Sequence, residues 1–191
     1  MKKFLIRCVT FMFFAASFAN EYKELLKAAN LGDAHAQYKL GLCYGVGKGV
    51  AKDEVEAVKW YRKAAEQGVA EAQHNLGVCY DYGKGVAKDA EEAAKWYRKA
   101  AEQGVAEAQH NLGICYESGT GVPQNAKEAV KWYRKSAEQG ADRSQFSLGL
   151  CYYYGKGVPQ NKSEAVYWYR QAAKQGNADA KEQLKKLGYS Y

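Results

Sequence analysis

Tryptophan recurs every 36 residues, at Trp60, Trp96, Trp132 and Trp168, and cysteine keeps the same period at Cys43, Cys79, Cys115 and Cys151. A period of this length means an array of one supersecondary unit, too small to bury its apolar face alone and dependent on its neighbours for a core. Four full copies begin at Ala34, Ala70, Ala106 and Asp142. Each copy contains two stretches of helical period. In the second copy, Ala72, Leu76, Gly77 and Tyr80 share one face of the first stretch. Ala93, Trp96, Tyr97, Ala100 and Ala101 form the apolar stripe of the second.

The residues between these stretches specify where helices start and stop. Asp53, Asp89, Asn125 and Asn161 each stand three residues before a Glu, the pattern of a capping box, and so open the second helices. Gly68, Gly104, Gly140 and Gly176 close them in a left-handed conformation. Paired glycines such as Gly83 and Gly85 turn the chain between the two helices of a copy. Gly77 and its equivalents Gly41, Gly113 and Gly149 sit inside a helix, where Gly costs about 1 kcal/mol relative to Ala; close approach of a neighbouring helix is the expected return.

Residues 1–19 have a basic start, an apolar stretch from Cys8 to about Ala16 and a small-x-small end at Ser17-Phe18-Ala19. They read as a secretory signal cut after Ala19, too short and too interrupted for a membrane span. The predicted organisation is a signal peptide at 1–19, an N-terminal cap helix within 20–33, repeats at 34–69, 70–105, 106–141 and 142–177, and a C-terminal cap helix and tail at 178–191. The net charge of +7 falls to +4 once Lys2, Lys3 and Arg7 are removed with the signal. A periplasmic or secreted monomer without membrane insertion is expected.

The pattern Ala-x-Ala-x-x-x-Leu-Gly-x-x-Tyr-x-x-Gly-x-Gly-Val, followed by Ala-x-x-Trp-Tyr-x-x-Ala-Ala-x-x-Gly, resembles the Sel-one-like repeat (SLR) family, a relative of the tetratricopeptide repeats with a longer loop between its helices. The match runs from about Ala34 to Gly176. The resemblance implies an all-α fold, a right-handed α-solenoid (α/α superhelix) of four helix-turn-helix repeats, and the role of a scaffold or adaptor for a protein or peptide. Exported cysteine-rich branches of the family are described as penicillin-binding or β-lactamase-like, which supplies an alternative reading as a hydrolase. Those branches carry two Cys per repeat, and this chain carries one. An envelope-assembly or host-interaction factor is a further alternative, differing only in partner.

If the first helix lines the concave side, as the resemblance implies, its second, fifth, ninth, twelfth and thirteenth positions face a groove. The residues placed there are Tyr38 and Leu42 in the first copy; Glu71, His74, Val78, Asp81 and Tyr82 in the second; Glu107, His110, Ile114 and Glu117 in the third; and Arg143, Phe146, Leu150, Tyr153 and Tyr154 in the fourth. His35, Gly45, Val46 and Ser118 occupy the remaining places. A ladder of rings at Tyr38, His74, His110 and Phe146 runs beside an aliphatic one at Leu42, Val78, Ile114 and Leu150. Two readings stand side by side: the ladders supply contact area for an extended peptide, with the central acids favouring a basic stretch, or they shield the stack.

Other chemistries find little support in the pattern. Equivalent Cys lie on neighbouring helices about 8–10 Å apart, too far for a disulfide, so no bridge is expected and each thiol reads as a small buried residue. No Cys/His zinc spacing and no Ser-x-x-Lys or Gly-x-Ser-x-Gly occurs, so neither a metal, another cofactor nor a catalytic residue is assigned. The lysines and arginines flanking the Trp-Tyr pairs fall outside the stack by helical phase, which disfavours nucleic acid as a partner.

Overall fold

The computed structural model describes residues 22–190. The signal segment and its cleavage point after Ala19 lie outside the described residues. These residues form ten helices without a strand among them: α1 (22–30), α2 (Ala34–Val46), α3 (Glu54–Glu66), α4 (Ala70–Tyr82), α5 (Ala90–Glu102), α6 (Ala106–Ser118), α7 (Ala126–Glu138), α8 (Asp142–Tyr154), α9 (Lys162–Lys174) and α10 (Ala178–Lys186). They divide into two compact units, one ending at Lys88 and the other starting at Asp89. The first holds α1 to α4 and the second α5 to α10.

Local chemistry sets the helix ends. The Asp53 carboxylate accepts from the amides of Val55 and Glu56 at 2.9 and 3.0 Å, and Asp89, Asn125 and Asn161 cap α5, α7 and α9 in the same way. The reciprocal half of the expected capping box is replaced. The Asp53 amide donates to the Tyr44 carbonyl at 2.9 Å, and Glu56 pairs with Lys59 one turn on. Asn125 and Asn161 likewise bond to Tyr116 and Tyr152, so each of these caps is tied to the end of its own first helix. At the other end Gly68, Gly104, Gly140 and Gly176 have φ between 93° and 98°, as expected for glycines after a helix.

Within the first unit α2 packs on α3, and α3 on α4. A Cβ at Gly41 would lie 2.5 Å from the Tyr61 ring. The intrahelical glycine thus lets that ring lie against the α2 backbone, which offsets its low helix propensity. The cap helix α1 contributes Tyr22, Leu25 and Leu26 to a core of Ala29, Ala36, Leu40 and Trp60.

The second unit repeats the construction. Gly113 and Gly149 receive Tyr133 and Tyr169 at 2.5 and 2.6 Å from the same hypothetical Cβ. Gly121, at φ +71°, would place a Cβ 2.0 Å from the Ala90 carbonyl, so the loop after α6 rests directly on the start of α5. One core cluster joins Val130, Tyr133, Leu148, Cys151 and Trp168; a second joins Tyr169, Ala172, Ala180 and Leu184 and is closed by α10.

A buried polar ladder accompanies this packing. Gln37, Gln73, Gln109 and Gln145 each donate to the carbonyl eight residues earlier, at 3.0–3.1 Å, satisfying the last turn of the preceding helix. Gln67, Gln139 and Gln175 in turn donate to the side-chain oxygens of Gln37, Gln109 and Gln145. Ser136 replaces an alanine in α7 and is satisfied by donating to the Ala106 carbonyl at 2.7 Å.

Candidate binding face

In the first unit the candidate residues lie on α2 and α4. Tyr38 is half-buried, its ring 6.2 Å from that of Tyr61. Burial raises its pKa, with a smaller contribution from the Glu71 charge. Leu42 lines a pocket of about 510 Å³ with Leu25, Lys39, Cys43 and Lys48. Val78 lines another, of about 280 Å³, with Gly45, Tyr61, Asn75 and Lys84. His74 and Asp81 are half-buried, and Glu71 is exposed. Tyr82 is 69% exposed, with the Lys84 ammonium 5.4 Å from its ring centre.

In the second unit they lie on α6 and α8. His110 is half-buried: its ring is 5.6 Å from Tyr133 and its Nδ1 is 2.9 Å from the Ser144 hydroxyl. Burial pushes its pKa below 6.5, and the Arg143 charge adds to the effect. Glu117 accepts a hydrogen bond from the Tyr133 hydroxyl at 2.7 Å. Phe146 stacks at 5.7 Å on Tyr169, and Leu150 packs on the cluster closed by α10. Tyr153 meets Tyr154 edge to face at 4.9 Å, and Tyr154 remains 60% exposed. Ile114 is 44% exposed; Glu107 and Arg143 face solvent.

These positions therefore separate into two kinds. Tyr38, His110 and Phe146 each lay a ring on the buried tyrosine of the following helix, and so take part in packing. Tyr82 and Tyr154 present apolar area outward from the last residues of α4 and α8, and Ile114 does so from within α6. The pocket residues Lys52, Glu54 and Lys84 lie outside the first helices on which the candidate face was placed, and Asn75 sits on α4 at a position not assigned to the groove. The available signal was the repeated Gly-Lys-Gly loop, whose lysines at 84 and 156 line corresponding pockets in the two units.

The basic residues of the second helices are engaged with neighbouring rings. Arg62, Arg98 and Arg134 donate to the hydroxyls of Tyr80, Tyr116 and Tyr152, while Lys63, Lys99 and Lys135 lie over the rings of Trp60, Trp96 and Trp132 at 3.8–4.3 Å. Cys79, Cys115 and Cys151 are buried and Cys43 half-buried. Burial pushes the thiols of Cys79 and Cys151 up to about 11. Among the described residues no group of three or more His, Cys, Asp or Glu is placed to hold a metal ion, and no helix is long and apolar enough to cross a membrane.

The Sel1 repeat model matches residues 34–69, 70–105, 106–140 and 142–177. The chain belongs to the Sel1 repeat family. Its helix pairs are those of SLR solenoid proteins, as the sequence pattern implied. Among solved structures, this Sel1 repeat chain is similar to a protective antigen of uropathogenic Escherichia coli with an SLR fold: identity is 43% and the TM-score 0.84, over 87% of this chain and 36% of the antigen. The chain thus spans about a third of that protein's length. A Sel1 repeat protein from Oxalobacter formigenes matches at 42% identity and TM-score 0.81, over 89% of this chain and 69% of its own. Helicobacter pylori cysteine rich protein B matches at 26% identity and TM-score 0.54, over 68% of this chain and 92% of its own. A search of curated proteins gave no match.

Proposed function

We propose that this Sel1 repeat protein is an exported, non-enzymatic scaffold that binds a protein or peptide segment on the first-helix faces of its two units. The observation that carries the reading is the outward apolar area at Tyr82, Ile114 and Tyr154, which the core does not use. Aromatic side chains such as Tyr82 and Tyr154 supply contact area at low entropic cost, and the exposed Glu71 and Glu107, in the first turns of α4 and α6, favour a basic ligand. The signal-like segment, residues 1–19, supports export.

Panning a displayed peptide library tests the binding role. Enrichment of peptides with basic and apolar residues is expected, with capture reduced by Tyr82→Ala or Tyr154→Ala in a folded protein. Failure to enrich any sequence, or capture indifferent to both variants, would contradict it. Export is tested by the mature N-terminus, expected at Asn20.

A further inference from the structure

We propose that the outward face of α9 is a docking site for a lysine side chain of a partner protein, formed by Glu164, Tyr167 and the margin of Trp168. The first three copies display what this frame holds. There the second helix flanks its tryptophan with two lysines. Lys59, Lys95 and Lys131 pair with Glu56, Glu92 and Glu128 one turn back. Lys63, Lys99 and Lys135 place their ammonium groups 4.1, 3.8 and 4.3 Å from the ring centres of Trp60, Trp96 and Trp132. Carboxylate, ring and lysine are therefore combined three times within the chain.

The fourth copy keeps the carboxylate and the tryptophan but has neither lysine. Tyr167 stands at the place of Lys59, and Gln171 at that of Lys63. The Glu164 amide is taken by the Asn161 cap, and among the described residues its carboxylate has no hydrogen bond or ion pair. Tyr167 meets Trp168 edge to face at 5.1 Å and is 52% exposed. Glu164 precedes Tyr167 by three residues and Trp168 by four, spacings that make side chains neighbours on a helix surface. An unpaired carboxylate thus adjoins an exposed ring. The cations nearby are directed elsewhere: Arg170 lies 5.5 Å from the Tyr189 ring centre and donates to the Ser190 carbonyl at 3.3 Å. Lys162, two residues before Glu164, points to a different side of the helix. Lys174 is about 15 Å further along it.

The chemistry of the ligand follows from this lining. A ring face attracts a cation, and the carboxylate beside it needs an N–H donor, which a primary ammonium has and a quaternary one lacks. A lysine also lays its apolar stem along ring surface while its head stays in water. Arginine has donors too, but in this protein the second-helix arginines go to tyrosine hydroxyls, and the lysines go to the carboxylate and the tryptophan. Lysine is therefore the side chain assigned. The site uses none of the first-helix residues, so it does not depend on peptide binding there.

The four tryptophans supply the readout. In an NMR titration of the whole mature chain with Nα-acetyl-lysine methylamide, the indole N–H resonance of Trp168 should shift, while those of Trp60, Trp96 and Trp132, already covered by lysines, stay in place. Nα-acetyl-norleucine methylamide, which lacks the ammonium, should move none of them, and tetramethylammonium and Nα-acetyl-arginine methylamide should bind more weakly. Glu164→Gln should weaken the lysine response roughly threefold, as for an exposed charge pair. Tyr167→Lys with Gln171→Lys restores the earlier pattern and should abolish the response. Lys131→Tyr with Lys135→Gln, both at exposed positions, should create a second response at Trp132. Circular dichroism checks that each variant is folded. A stationary Trp168 resonance, an equal shift with the norleucine derivative, tighter binding of tetramethylammonium or the arginine derivative, or a full response in the folded double-lysine variant would overturn the proposal.

Discussion

The Tyr133 hydroxyl donates to the Glu117 carboxylate at 2.7 Å, whereas the hydroxyl of its counterpart Tyr169 is buried without a hydrogen-bond partner. The twelfth position explains the difference, since Tyr153 stands where Glu117 stands one repeat earlier. Removing a hydrogen bond to a charged group costs about 1.5–3 kcal/mol, and removing an unsatisfied hydroxyl relieves a desolvation penalty. Urea unfolding should therefore show Tyr133→Phe destabilised by roughly that amount, and Tyr169→Phe unchanged or more stable. Equal losses in both would contradict the assignment.

Close approach at the intrahelical glycines gives a second outcome. Gly113→Ala would place a Cβ 2.5 Å from the Tyr133 ring and should cost about 1–3 kcal/mol, despite alanine's better helix propensity. In a Tyr133→Ala background the ring is gone and the same substitution should become neutral or stabilising. A double-mutant cycle measures this coupling.

The repeat, the caps and the glycine contacts were legible because each rests on a short, local rule repeated four times. Asp53 and Gly68 act through their own backbone neighbours, and Gly41 needs only the period that brings Tyr61 against it. The glutamine ladder was not legible. Gln109 looks like a surface residue by composition, and its burial follows from a carbonyl eight residues earlier that only helix stacking exposes to it. The fifth-position rings were placed on the right helix, but their lean onto Tyr61, Tyr133 and Tyr169 depends on side-chain direction. The 280 Å³ pocket draws on three helices, α2, α3 and α4, and on the loops that hold Lys52 and Lys84, so no single stretch of sequence displays it.

Acid pH should weaken the fold through His110. Its pKa is lowered by burial and then by Arg143, so the folded form favours neutral imidazole. The contribution is fully present above the ordinary value of 6.5 and is lost as pH falls from there through the folded value. The urea midpoint should drop over this range, and His110→Gln should flatten part of the slope.

Alkaline pH should act through buried phenols. Burial raises Tyr61 from 10.0 to about 12 and raises Tyr133 and Tyr169 in the same direction, so the unfolded chain loses protons first. Stability is full below pH 10.0 and declines above it, with Tyr61's share lost by about 12. Phenolate absorbance should lag behind that of free tyrosine until unfolding.

The thiols give a kinetic readout. A rise from 9.0 to about 11 leaves Cys79 and Cys151 with roughly 100-fold less thiolate than an ordinary cysteine at neutral pH, before access is considered. Half-buried Cys43 should alkylate first, and Cys79 and Cys151 only at the rate of local opening. Peptide mapping of a timed labelling course reads the order.

The most direct test of the binding role is the affinity of a library-selected peptide for the wild-type protein and for Tyr82→Ala and Tyr154→Ala. Both tyrosines are more than half exposed, so neither variant should lose stability. The account predicts at least about a tenfold loss of affinity in one or both variants with unchanged circular dichroism. Full affinity retained in both would contradict it.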